Sequence, residues 1–214
     1  MLVDYVSDNV LGVILAGGLA SRMGGGDKSL KSLGEKTILE TVMDRLSPQV
    51  KTIVLNANGD PMRFSKFEIP VIQDQTNEFL GPLAGILSGL DWASENGFSQ
   101  IVTVAADTPF FPMTLVKTLN KALLNSVSQI ALAATSKKDS KRIIRHPTFG
   151  LWPVSLRNDL RNALDLGVRK VVQWTETHEH VDVIFKIEGS DPFFNVNTYE
   201  DLDIAKQKIN FEVE

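Results

Sequence analysis

Short apolar runs alternate with amphipathic stretches along most of the chain. Val10 to Leu15 is apolar, partly β-branched, and runs straight into glycine, the pattern of a short strand buried on both faces. From Ile38 the apolar residues Ile38, Leu39, Val42, Met43 and Leu46 recur at helical spacing, and Thr37 is placed to cap that helix. TIVLNANGD (52–60) reads as a second strand ending in a turn, and PVIQD (70–74) as a third. GPLAGILSGLDWASENG (81–97) reads as a helix opened by Pro82 near its first position and closed by Gly97. QIVTVAAD (100–107) is a fourth strand.

Further on, Met113 to Leu124 is helical by period, QIALAA (129–134) is a strand, and SKKDSKRIIR (136–145) is a polar, basic surface segment. HPTFGLWPV (146–154) is another strand. Val154 to Glu179 carries helical periodicity, and VDVIFKI (181–187) has a strand pattern. Thr198 and Asp201 form a capping box for a last helix. Strands alternating with helices predict an α/β fold: one Rossmann-like, three-layer α/β/α domain over residues 1–214 with a mostly parallel twisted sheet. In such sheets ligands bind beyond the carboxyl ends of the strands. That rule singles out Gly17 and Gly18 after the first strand, Asn56 at the end of the second, Asp74 at the end of the third and Asp107 after the fourth.

Composition narrows the chemistry. The 214 residues are 43% hydrophobic with a net charge of -4, enough for one full core and without a general basic field for nucleic acid or an anionic membrane. Any anion is therefore held locally. There is no cysteine, which excludes disulfides, thiolate metal sites and a cysteine nucleophile. The first ten residues carry acids and no basic segment, and no apolar run approaches the ~18 residues of a membrane span, so a cytoplasmic protein is expected.

The local anion site is written in GVILAGGLASRMGGGDKSL (12–30). Backbone N–H groups reach phosphate oxygens only where no side chain intervenes, which suits Gly17, Gly18, Gly24, Gly25 and Gly26. Arg22 can fork onto two phosphate oxygens and Lys28 can offer a compact charge to another. A P-loop needs glycine directly before its lysine, whereas Asp27 stands there; the dinucleotide fingerprint G-x-G-x-x-G is also absent. Taken alone, the segment also reads as a glycine-rich surface loop, and its place after the first strand favours phosphate.

LAGGLASRMGGGDKSL resembles the signature loop of nucleotidyltransferases that activate small phosphorylated molecules. Its MGGGDK form is similar to the MobA-type molybdenum cofactor guanylyltransferases. Further matches are VLNAN (54–58), VIQD (71–74), GPLAGI (81–86), AADTPF (105–110), HPTFGLW (146–152) and FFNVNTYEDL (193–202), in the family's order and spacing. The resemblance implies transfer of GMP from GTP to the terminal phosphate of molybdopterin or Mo-molybdopterin, with Mg2+ and release of pyrophosphate. It implies transient contacts with a GTP-binding accessory protein and other molybdenum cofactor proteins; a monomer is expected, with a nucleotide-binding part over about 8–110 and an acceptor-binding part over about 111–214.

Carried over residue by residue, the resemblance assigns GTP to Leu15, Ala16, Gly17, Gly18, Arg22, Lys28, Asn56, Asp74 and Asp107. Arg22, Lys28 and Asp107 are the catalytic set, with Asp107 on the metal. The acceptor is assigned to Gly81, Gly85, Asn195 and Asn197. The chemistry fits: magnesium is usually held by one or two carboxylates plus substrate phosphates, and a carboxylate at Asp74 can accept two adjacent N–H donors of guanine. By residue type alone Asp107 is equally a turn residue before Pro109, Asn195 and Asn197 equally form a turn, and Asp74 a surface turn. Arg145 and His146 are expected to be structural or pterin-side, and His178 and His180 to form a solvated turn. A cytidylyltransferase, a sugar-phosphate nucleotidyltransferase and a catalytically silent nucleotide-binding adaptor are the competing readings.

Overall fold

The computed structural model describes residues 9–17, 27–75, 81–136, 142–187 and 189–212, without the side chains of 210–212. Its first strand, β1, spans Val10–Leu15, and two short strands, β2 (Ser32–Leu33) and β3 (Lys36–Thr37), pair as a small hairpin. Helix α1 covers Ile38–Leu46 and opens on a complete capping box, in which the Thr37 hydroxyl accepts from Glu40 N–H and the Glu40 carboxylate accepts from Thr37 N–H. Then follow β4 (Thr52–Asn56), β5 (Val71–Ile72), α2 (Pro82–Glu95) and β6 (Gln100–Ala105). The rest comprises α3 (Leu115–Leu124), β7 (Ile130–Ser136), β8 (Ile143–Pro153), α4 (Arg157–Asp165), α5 (Val171–Thr175), β9 (His180–Phe185) and α6 (Tyr199–Glu212).

Seven strands form one sheet in the order β5-β4-β1-β6-β8-β7-β9, parallel except for β8, which runs antiparallel to both β6 and β7. Alternation along β1 sorts the two cores. Val10 and Ile14 join the cluster under α1 and α3, and Leu11 and Val13 join the one under α2, α4 and α5. Helices thus cover both faces. A third apolar cluster, with Ile38, Phe110, Val196 and Leu202, seats α6 against the start of α1.

Two expectations change. The periodic stretch 154–179 divides into two helices: α4 ends at Asp165, Gly167 turns the chain at φ 88°, and α5 starts at Val171. The polar, basic segment begins β8 at Ile143, while 137–141 lie outside the described residues. Among the described residues no helix is long and apolar enough to cross a membrane.

Candidate active site

Register along the sheet builds the site. Leu15 pairs with Asn56 on β4 and with Ala105 on β6, and Asn56 pairs with Ile72 on β5, so four parallel strands finish at one level. The chain moves from β1 outward to β4 and β5, then returns to the other side of β1 as β6. Strand order therefore reverses beside β1, where a crevice is left open at the strands' carboxyl ends. A cleft of about 310 Å³ lies there, and its walls include Leu15, Gly17, Asn56, Asp74, Asp107 and Asn195.

Lys28 and Asp107 meet on one side of this crevice. Lys28 opens a short 3-10 turn over 28–30, and its Nζ lies 2.6 Å from Asp107 Oδ2 and 2.8 Å from Asn197 Oδ1. Their side chains are 15% and 24% exposed, so the pair is partly withdrawn from water while still open to the crevice side. Thr108 donates its hydroxyl hydrogen to Asn195 Oδ1 or Asp107 Oδ1, both within reach. The backbone N–H of buried Val196 donates to Asp107 O at 2.8 Å. The extended 195–197 segment is thus tied to the end of β6, and its two asparagines flank Asp107. A smaller hollow formed with Ala16, Asp27, Lys28 and Ser29 adjoins the same carboxylate.

Asp74 stands on the opposite side. Asn56 Nδ2 donates to its Oδ1 at 2.9 Å and Asn58 Nδ2 to its Oδ2 at 2.8 Å, while Asp74 N–H donates to Asn58 Oδ1 at 2.9 Å. Two amides therefore hold the carboxylate, which still borders the cleft.

The glycines divide. Gly17 borders the cleft, and a Cβ there would meet nothing within 4 Å. Gly81 caps α2 at φ 72°, a region costly for other residues, and lies in the cleft wall beside Pro82. Gly85 is buried in α2 away from the cleft lining: a Cβ there would collide with Asn56 Oδ1 and stand 2.8 Å from Leu15 Cδ2. Its place is a close approach of helix to strand, beside Asn56. Gly18, Arg22 and the glycines at 24–26 lie outside the described residues.

Arg145 and His146 sit on β8, outside the cleft lining. Arg145 Nε lies 2.8 Å and 3.0 Å from the two carboxylate oxygens of Asp182 on β9. His146 stacks on Phe193 with ring centroids 4.3 Å apart and shares a hydrogen bond with Thr135 Oγ1; burial lowers its pKa, opposed by the Asp191 carboxylate. His178 is not in a solvated turn: it packs edge-on to Trp174 and bonds Asp159 at 2.9 Å. Sequence reasoning passed over Asn58 and Arg63. Asn58 carried a signal, since it follows Asn56 at the period-two spacing of NAN (56–58), whereas Arg63, bonded to Asn58 O and paired with Asp27, had none nearby.

A parallel sheet with a lysine-carboxylate pair on one side of its switch point and an amide-held carboxylate on the other is the build of an α/β nucleotidyltransferase. The sequence model of the MobA-like NTP transferase domain matches residues 12–181, and the chain belongs to this family. A molybdenum cofactor guanylyltransferase of Nitrobacter hamburgensis is 46% identical over 199 residues, covering 92% of each chain. One of Haemophilus influenzae is 39% identical over 190 residues, 89% of this chain and 94% of that one. The crystal structure of molybdopterin-guanine dinucleotide biosynthesis protein A from Archaeoglobus fulgidus superposes with a TM-score of 0.69 at 24% identity, over 94% of this chain and 98% of that one.

Proposed function

We propose that this enzyme transfers GMP from GTP to the terminal phosphate of molybdopterin, forming the guanine dinucleotide and releasing pyrophosphate. The observation that carries the reading is the pairing across one cleft of an amide-held Asp74 with the Lys28–Asp107 pair. A carboxylate accepts two parallel N–H bonds, and the guanine edge offers two adjacent donors where cytosine has an acceptor. A lysine at the other side supplies charge where a triphosphate tail would lie.

The acceptor phosphate, with a second pKa of ~6, is already largely dianionic near neutrality, so its oxygen attacks the α-phosphorus without a general base. The bond from that oxygen to phosphorus forms as the α–β bridging P–O bond breaks, and its electron pair leaves with pyrophosphate. Lys28 offsets negative charge on the departing group, and Arg22 is assigned the same task. The triphosphate tail is assigned to Gly17 and Gly18, and the nucleoside to Leu15 and Ala16. Gly81, Asn195 and Asn197 are assigned to the acceptor side.

The donor set fits magnesium: Asp107, just beyond β6, is a hard carboxylate whose neighbours Lys28 and Thr108 also bond the amide oxygens of Asn197 and Asn195, and substrate phosphates complete such shells. Bound there, the ion would neutralise charge on the transferred phosphate. The deciding assay follows pyrophosphate release with molybdopterin as acceptor and GTP, CTP or ATP as donor. Preference for GTP is expected, and preference for CTP overturns the guanine reading.

A further inference from the structure

Asp74 is a poorly tethered place for a specificity determinant. It follows β5, an edge strand of only two residues, and a carboxylate on such a tether loses rotamer freedom whenever it is made to hold one orientation. What holds it is Asn58. Its amide donates to Asp74 Oδ2 at 2.8 Å while its carbonyl oxygen accepts the Asp74 backbone N–H at 2.9 Å, a closed ring that fixes side chain and main chain together. Asn56 adds one bond, to the other oxygen.

The donor count matters. An ionised carboxylate has roughly four acceptor positions; the two amides fill two, one on each oxygen, and leave one on each for a ligand. Two remaining acceptors match two neighbouring N–H donors. Asn58 is itself braced: Arg63 Nη2 donates to Asn58 O at 2.6 Å and Nη1 to Asp60 O at 2.7 Å, and Gln73 Nε2 donates to Gly59 O at 2.8 Å. The ends of β4 and β5 are stapled around this one side chain. Aspartate at 58 would set oxygen against oxygen, and alanine would leave the Asp74 carboxylate held through one oxygen only, by Asn56.

We propose that Asn58 is a positioning residue for base selection, aligning Asp74 to accept both the N1–H and the 2-amino group of a guanine base. The inference rests on the guanine reading of Asp74 and deepens it.

The test compares GTP with ITP, which keeps N1–H and lacks the 2-amino group. Dissociation constants for the magnesium complexes of both nucleotides are measured on the full chain carrying Asn58→Ala, Asn58→Ser or Asp74→Ala, beside thermal melts of each. In the parent, GTP binds more tightly than ITP; in Asn58→Ala that preference shrinks about tenfold, as expected when a charged hydrogen bond is misaligned. A purely structural role would lower the melting temperature and weaken both nucleotides alike, which overturns the inference. If Asp74→Ala abolishes the preference and Asn58→Ala keeps it, the inference falls and the base reading stands. If Asp74→Ala keeps the preference, both fall. Should Asn58→Ala fail to fold, Asn58→Ser is read by the same criteria.

Discussion

Lys28 Nζ lies 2.6 Å from Asp107 Oδ2 across 79 residues of chain, which joins the far end of the glycine loop to the carboxyl end of β6. The lysine occupies an oxygen of the carboxylate proposed to hold magnesium. A triphosphate offers that lysine a stronger partner and brings oxygens for the metal. Nucleotide and metal are therefore expected to bind together.

Asp107→Asn keeps the shape of the side chain and removes its charge. Magnesium-dependent turnover is expected to fall by at least ~100-fold, the scale seen when one electrostatic contact to a transferring group is lost. GTP binding measured in chelator should change far less, because Lys28 and the backbone donors stay. Single-turnover kinetics beside equilibrium titration separate the two, and undiminished turnover in Asp107→Asn would refute the metal assignment.

Gly85→Ala tests the contact between α2 and β4. The added methyl would collide with Asn56 Oδ1 and lie 2.8 Å from Leu15 Cδ2, so those side chains, or the helix itself, must shift. Overpacking of this kind costs typically 1–3 kcal/mol. Because Asn56 also donates to Asp74, the substitution should raise KM for GTP as well as lower the denaturation midpoint. A stable variant with a parental KM would show that the helix yields freely.

Local signals were readable and long-range pairings were not. Thr37 with Glu40, Pro82 at the start of α2, and Thr198 with Asp201 speak through neighbours within one helical turn, and each stands at the predicted end. The edge gathering Gly17, Asn56, Asp74 and Asp107 followed from strand order in parallel sheets, a rule that needs only the placing of strands. The reversed direction of β8 depends on its neighbours β6 and β7, and no residue in HPTFGLWPV encodes it. The breadth of the 154–179 periodicity concealed two helices, because a single Gly167 outweighed the apolar spacing on both sides. The solvated turn expected at His178 is overturned by Asp159 on α4, a partner 19 residues away that the local pattern does not point to, with Trp174 closing the other side of the ring.

Asp91 offers a test on the outer side of the Asp74 loop. It is 8% exposed on α2, bonded to Arg161 at 2.6 Å and to Gln75 Nε2 at 2.7 Å, with Arg157 at 3.7 Å. Removing one partner of a fully buried pair costs ~3–5 kcal/mol. Arg157 and Arg161 keep about a third of their side chains in water and can turn outward, so Asp91→Ala should cost less, roughly 1–3 kcal/mol. Urea denaturation measures the loss. Gln75 adjoins Asp74 in sequence, so weaker GTP binding should accompany it; a loss above 3 kcal/mol would mean that the arginines cannot reach solvent.

His146 gives the fold a pH dependence whose direction follows from its surroundings. Burial lowers its pKa beneath the ordinary 6.5, and the Asp191 carboxylate only partly offsets this. The faces of the ring are occupied by Phe193, stacked at 4.3 Å, and its edge by Thr135 Oγ1 at 3.0 Å. Above pH 6.5 the imidazole is neutral in the folded and unfolded chain alike. As pH falls below 6.5 the unfolded chain takes up the proton first, so stability declines until the folded pKa is passed and then levels off. His146→Gln retains a partner for Thr135 and removes the titration, so its denaturation midpoint should fall less between pH 7 and pH 5 than that of the parent. Equal falls would assign the acid sensitivity to other groups. Transfer rates at saturating substrate should show no inflection traceable to His146, because the attacking phosphate needs no base and the imidazole is engaged with Thr135 and Phe193 outside the cleft lining.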